Sequence, residues 1–320
     1  MLLDIRNLTV RYKTDEGIVK AVNDLSLSVK QGETLGIVGE TGAGKTTIAL
    51  SIMGLVPYPA GQIVNGEIIF NGKNIEKLNN KQMQKIRGNN ISMVFQDPMT
   101  SLNPVISVGN QIAEVIQTHE NITIKDAEEK AKHLLEMVGI LRDRYNDYPH
   151  QLSGGMKQRI VIAIALACKP QLLIADEPTT ALDVTIQAQV LDKIEKLKKE
   201  FATSMIMISH DLAVIAETCS KVAVIYAGEI VEYGQINKIF ENTAHPYTRG
   251  LFKSLPSIVG KKERLYPIPG FMPRAINLFI GCKFAPRCLH AIDECREKKQ
   301  ELKEISDEHF IRCEILAKNN

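Results

Sequence analysis

The sequence predicts an α/β chain built on a parallel sheet with helices on both faces. Strand-like apolar runs recur at Thr34–Val38, Ile91–Phe95, Leu172–Ala175 and Ser204–Ile208. Helical patterns lie between them, and a glycine-rich turn joins the first run to a helix. Continuous apolar strands are the mark of strands buried on both faces, and their alternation with helices is the mark of parallel pairing.

Residues 1 to 35 read differently. Leu3, Ile5, Leu8 and Val10, then Leu25, Leu27 and Val29, alternate with polar residues. That is the pattern of antiparallel strands, joined here by the polar turn Thr14–Gly17. Thr46–Leu55 is a helical stretch, and Gly66–Phe70 reads as another strand. From Val108 to Leu141 the pattern is helical and charged, with Ile112, Val115, Ile116, Leu134, Leu135 and Val138 on the apolar side. The helix predicted over Val184–Phe201 sets Val190, Leu191, Ile194 and Leu197 against a lysine-rich face. Past Tyr233 prolines cluster and four cysteines appear, which places a domain boundary near residue 235.

Composition narrows the function classes. The 320 residues are 44% apolar and 24% charged, with a formal net charge of +2. That balance is ordinary for a soluble globular chain and gives no support to nucleic-acid binding. The basic run Lys261, Lys262 and Arg264 reads as a solvated loop. The longest apolar candidate, Ile160–Cys168, is about half the ~20 residues needed to span a bilayer. Asp4 and Arg6 interrupt the N-terminal apolar run, which argues against a secretory signal. The expected location is the cytosol or the cytoplasmic face of a membrane, so the cysteines are not read as disulfides.

Gly39-Glu-Thr-Gly-Ala-Gly44-Lys45-Thr46 fits G-x-x-x-x-G-K-[ST] between a strand and a helix. The glycines let backbone N–H groups turn inward around phosphate, and the helix N-terminus adds positive potential. Lys45 is placed to neutralise β- and γ-phosphates, and the Thr46 hydroxyl to ligate magnesium. Leu172–Asp176 is an apolar strand that ends in Asp176 and Glu177. Carboxylates at the end of a buried strand are costly unless something uses them. Asp176 fits an outer magnesium residue, and Glu177 a general base for attacking water.

Leu152-Ser153-Gly154-Gly155-Met156-Lys157-Gln158-Arg159 resembles the signature of ABC-transporter ATPases. Met156 stands where that family often has glutamine, and Thr46 where it often has serine; no required group is lost. Gln96 resembles the family's Q-loop glutamine, Ala181-Leu182-Asp183 its D-loop, His210 its switch histidine and Tyr12 its adenine-stacking aromatic. Read alone, Ser153 is a helix cap, Tyr12 a packed edge residue and His210 a strand-end residue.

The resemblance covers residues 1–235 and implies a P-loop NTPase with a RecA-like core. An N-terminal antiparallel β subdomain and a helical subdomain at about 96–155 complete it. It implies nucleotide contacts from Tyr12, Gly39, Thr41, Gly42, Ala43, Gly44, Lys45, Thr46, Thr47, Gln96, Ser153, Gly154, Gly155, Asp176 and Asp183. Magnesium would be held by Thr46, Gln96 and Asp176, with Glu177, His210 and Lys45 catalytic. It also implies a second ATPase subunit bound head to tail, favoured to be a different chain, two transmembrane permease subunits contacted through Gln96–Pro104, and indirectly an extracellular substrate-binding protein. A soluble ABC ATPase acting on ribosomes or nucleic acid would carry two cassettes or a coiled-coil insertion; neither is visible.

His245-Pro246-Tyr247-Thr248, Leu251, Ser254 and Pro256, followed by Gly281-Cys282-Lys-Phe284-Ala-Pro286-Arg287-Cys288, resemble the oligopeptide, dipeptide and nickel importer branch, and within it the D-type peptide-permease subunits. The implied cargo is a peptide, with nickel the alternative. Residues 236–320 form the expected C-terminal domain. Cys282, Cys288, Cys295 and Cys313 are spaced C-x5-C-x6-C-x17-C, without the close pairs of zinc knuckles or the ferredoxin run. Four thiolates suit a [4Fe–4S] cluster, with zinc or free thiols as alternatives. The expected role is a structural staple, with a redox or metal sensor as the competing reading. Cys168 and Cys219 read as core.

Overall fold

The computed structural model of the chain describes residues 1–179, 183–254 and 267–317. In chain order, β1 (Leu3–Thr14) and β2 (Gly17–Val29) lead to β3 (Thr34–Val38) and α1 (Lys45–Ile52), then β4 (Gly61–Phe70) and β5 (Lys73–Asn74). Next come α2 (Asn80–Ile86), β6 (Ile91–Val94), α3 (Pro98–Ser101), α4 (Val108–His119), α5 (Ile124–Met137) and α6 (Gly154–Leu166). They are followed by β7 (Leu172–Asp176), α7 (Val184–Glu200), β8 (Ser204–Ile208), α8 (Leu212–Thr218), β9 (Lys221–Tyr226) and β10 (Glu229–Gln235). The C-terminal stretch holds α9 (Ile236–Glu241), α10 (Pro246–Lys253), α11 (Asp293–Glu297), β11 (Lys303–Ser306), β12 (His309–Ile311) and α12 (Glu314–Ala317). The chain forms two compact units.

One unit comprises residues 1–2, 29–34 and 77–208. Its β6, β7 and β8 pair in parallel, with Ile91 opposite Leu172 and Leu172 opposite Ser204. Every residue of these three strands is buried, as their unbroken apolar sequences require. Helices α4, α5 and α6 pack on one another, and α6 packs on α7. The helical pattern predicted over Val108–Leu141 is two helices. Thr123 caps α5 by accepting from the Asp126 N–H at 3.2 Å, which separates α5 from α4.

The other unit comprises residues 3–28, 35–76 and 209–320. It holds an antiparallel sheet in the order β2-β1-β4-β5. It also pairs β3 in parallel with β9, and β9, β10, β12 and β11 antiparallel in that order. The compact units do not divide near residue 235. Strand β10 takes β12 as a neighbour, with Glu232 opposite Ile311, so the C-terminal chain returns to the strand that precedes the expected boundary. Tyr226, Tyr247 and Phe284 form an aromatic cluster with ring centroids 4.6, 5.3 and 5.4 Å apart. The cysteine-bearing segment therefore shares a core with β9.

Candidate active site

The glycine-rich loop leaves β3 and enters α1 within the second unit. Gly44 caps α1 at φ 105°, and a Cβ there would sit 2.4 Å from the Ala21 carbonyl oxygen. Only glycine takes that backbone without strain, so Gly44 is fixed twice, by dihedral and by space. Lys45 is buried, and its Nζ donates to the Gly39 carbonyl at 2.7 Å and the Glu40 carbonyl at 3.1 Å. Thr41, Gly42 and Thr46 are exposed, Thr47 is half-buried and Ala43 is buried. Tyr12, two residues before the end of β1, lies opposite Gly61, and its hydroxyl reaches the Thr47 hydroxyl at 3.5 Å. A Cβ at Gly61 would lie 2.6 Å from the Tyr12 ring. The fold thus brings Tyr12 to the first turn of α1, across 35 residues of sequence. His210 lies in this unit, exposed, one residue before the Asp211 cap of α8.

In the first unit, β7 ends in Asp176, which is 2% exposed. Glu177 follows in the left-handed region at φ 47°. Such a conformation costs about 1–3 kcal/mol for a residue other than glycine and persists only where its surroundings enforce it. Here the Glu177 N–H donates to the Ile208 carbonyl at 2.9 Å, pinning the backbone to the end of β8. The Gln96 amide donates to the Glu177 carboxylate at 2.9 Å. Two residues 81 apart in sequence are therefore in direct contact.

Ser153 is the N-cap of α6, and its hydroxyl accepts from the Met156 N–H at 3.3 Å. Gly154 is exposed and Gly155 buried; a Cβ at Gly155 would meet Ile186 of α7 at 2.6 Å. Asp183 caps α7 by accepting from the Ile186 N–H at 3.0 Å. Its neighbours Ala181 and Leu182 lie outside the described residues, as do Pro256, Lys261, Lys262 and Arg264. Of the expected magnesium residues, Gln96 and Asp176 lie in the first unit and Thr46 in the second.

Cys282, Cys288, Cys295 and Cys313 line one cavity of the second unit, together with His245, Phe284 and His290. Burial pushes the Cys282 thiol up to about 12 and those of Cys288 and Cys313 upward. The backbone of Phe284 and Ala285 beside Cys282, of His290 beside Cys288, and of Leu316 and Ile315 beside Cys313 pulls the other way, favouring the thiolate. Among the described residues, no three His, Cys, Asp or Glu side chains are arranged to hold a metal ion. That finding supports neither metal reading of the cysteines, since zinc and a [4Fe–4S] cluster both need their thiolates gathered around one centre. His309 is not at the cavity; it bonds Glu232 at 2.8 Å.

Sequence reasoning missed the loop's outer support. Arg287 pairs with Glu40, and the Glu40 N–H donates to the Tyr247 hydroxyl at 2.9 Å. Glu40 occupies a free position of the phosphate-loop pattern, so spacing carries no signal for it.

The family described as ABC transporter matches residues 22–180. That described as oligopeptide/dipeptide transporter, C-terminal region, matches residues 231–295. The probable peptide ABC transporter ATP-binding protein y4tR of Sinorhizobium fredii is 50% identical over 316 residues, covering 98% of this chain and 94% of its own. The oligopeptide transport ATP-binding protein OppD of Escherichia coli is 48% identical, covering 92% and 87%. A dimeric structure of the ATP-binding cassette MJ0796 bound to ADP and Pi superposes with a TM-score of 0.66 at 27% identity, covering 73% of this chain and 98% of that one.

Proposed function

This chain belongs to the ABC transporter family, in its oligopeptide/dipeptide branch, and we propose that it is the ATP-hydrolysing subunit of a peptide importer. The observation that carries the catalytic reading is the Gln96–Glu177 contact. It ties the residue expected to sense phosphate to the carboxylate expected to activate water. Residues 1–235 would act as the nucleotide-binding part and 236–320 as its extension.

The loop Gly39–Thr46 binds the ATP phosphates through its inward N–H groups, and Lys45 turns its ammonium from the loop carbonyls to the β- and γ-phosphates. Tyr12, set against Thr47, stacks on adenine. Thr46, Gln96 and Asp176 are the residues that would hold magnesium, which would supply neutralisation of developing charge. Glu177 accepts a proton from the attacking water, and its pinned backbone fixes where the carboxylate points. His210 orients that water. Ser153, Gly154, Gly155 and Asp183 serve the γ-phosphate bound by a second ATPase subunit, facing this one head to tail; that the similar cassette MJ0796 is dimeric supports a second subunit. Gln96, on the segment leading to α3, passes the nucleotide state to two permease subunits fed by an extracellular binding protein.

No helix among the described residues is long and apolar enough to cross a membrane. The reading places the chain on the cytoplasmic face, held by its permeases. The four cysteines fit a [4Fe–4S] cluster in donor chemistry. The four residues line one cavity, and backbone groups beside three of them favour the thiolate, which is the form a cluster would take up. Such a cluster would staple the extension. Iron and acid-labile sulfide in stoichiometric amounts after anaerobic purification are expected; their absence would remove the cluster.

The test of function is Glu177→Gln in the assembled transporter in vesicles. Turnover should fall about 100-fold or more and uptake of a labelled peptide should stop, while ATP binding persists. Uptake at the normal rate in that variant would overturn the role of Glu177. Failure of the unsubstituted transporter to take up any peptide would overturn the cargo.

A further inference from the structure

The phosphate loop is braced from outside by the cysteine-bearing segment. Arg287 precedes Cys288, and its side chain is 6% exposed. Its Nη1 donates to both oxygens of the Glu40 carboxylate, each at 3.0 Å, and to the Tyr226 hydroxyl at 3.2 Å. Its Nε donates to the Pro269 carbonyl at 2.8 Å and its Nη2 to the Ile268 carbonyl at 3.4 Å. The guanidinium carbon lies 5.8 Å from the Tyr226 ring centre and 5.9 Å from that of Phe284. A planar fork of donors held between two rings cannot be replaced by a flexible ammonium.

Glu40 is the second residue of the phosphate loop. Its N–H is held by the Tyr247 hydroxyl, its carboxylate by Arg287, and its carbonyl accepts from Lys45. The peptide that sets the Lys45 ammonium is thus anchored at side chain and backbone by residues more than 200 positions away. We propose that Arg287 is a positioning residue for the phosphate loop. It holds Glu40, and through the Glu40 carbonyl Lys45, in the geometry that receives the phosphates. Without it, the Glu40 carboxylate would stand unpaired beside that ammonium and beside the incoming polyphosphate, competing for the one and repelling the other. The inference rests on the reading of this loop as the ATP site.

The experiment is a titration of the intact chain with MgATP, with a thermal melt run without nucleotide. Arg287→Gln should weaken MgATP about tenfold, the size of one charge-assisted hydrogen bond. Arg287→Lys should weaken it about threefold, since charge stays and the fork is lost. Glu40→Gln should cost less than Arg287→Gln, and adding it to Arg287→Gln should recover most of the affinity, because the unpaired carboxylate is gone. A lower melting temperature with MgATP affinity unchanged in every variant would overturn the proposal and leave a structural tie. Should Arg287→Gln not fold, Arg287→Lys and Glu40→Gln decide it by the same affinities. Lys45→Ala run alongside separates the premise: unchanged affinity there overturns the ATP-site reading itself.

Discussion

At Gly44 a single hydrogen atom decides whether the loop can exist. The residue sits at φ 105° with the Ala21 carbonyl where a Cβ would go. Gly44→Ala must therefore either strain the backbone by about 1–3 kcal/mol or push the loop off β2. MgATP affinity should fall at least about tenfold, read by the same titration. Gly154→Ala is the control for the other glycine pair, since a Cβ there meets nothing within 4 Å; the melting temperature should stay within about a degree. A Gly44→Ala chain with full affinity would show that the loop tolerates the shift. Gly44 was legible because the spacing of its loop alone points to phosphate, whereas Gly154 and Gly155 entered only through the family resemblance. Glu177 was legible as a carboxylate but not as a left-handed residue, since that backbone is enforced by the bond to Ile208 and nothing in the local sequence calls for it. Arg287 was invisible: its partner Glu40 is 247 residues away, and a pairing at that distance has no sequence signature.

Helix ends carry the next level of argument. Asn79 and Gln82 form a reciprocal capping box at the start of α2, and Asp183 caps α7 through its own side chain. Ser153 has two roles that differ in what they demand. As a cap of α6 it needs only an acceptor for the Met156 N–H; as a partner for a γ-phosphate it needs a neutral donor. Ser153→Ala should lower stability by about 1 kcal/mol or less and also impair turnover. Ser153→Asp should keep the cap and the melting temperature yet lose turnover, because a carboxylate repels phosphate. Full turnover in Ser153→Asp would reduce Ser153 to a cap. Strands β3, β7 and β8 were readable almost to the residue, because burial on both faces leaves uninterrupted apolar runs. The pair β11 and β12 was not, since Lys303–Ser306 is largely exposed and His309–Ile311 is three residues long.

The C-terminal chain returns to β10, the strand that precedes the composition change near residue 235. Composition marks where local content changes and not which strand a segment returns to. The return is held by Glu232 on β10, whose side chain is fully buried. Its carboxylate accepts from the Ala244 N–H at 2.8 Å, the His245 N–H at 2.9 Å and His309 on β12 at 2.8 Å. One buried carboxylate therefore ties β10, the start of α10 and the last strand of the sheet. A buried acceptor that loses a partner is costly, since water cannot replace it. His309→Leu fills the space but offers no donor, and it should destabilise the chain by about 2–3 kcal/mol. His309→Gln offers a donor of similar reach and should lose less than half as much. Both are read by thermal unfolding of the full chain, with protease susceptibility near Lys303 reporting local release. Because Tyr247 lies two residues beyond His245 in α10 and its hydroxyl holds the Glu40 N–H, His309→Leu should also weaken MgATP, by less than Arg287→Gln does. If His309→Leu melts like the unsubstituted chain, Glu232 is not what closes the C-terminal strand onto β10, and the tie must lie in the aromatic cluster of Tyr226, Tyr247 and Phe284 instead.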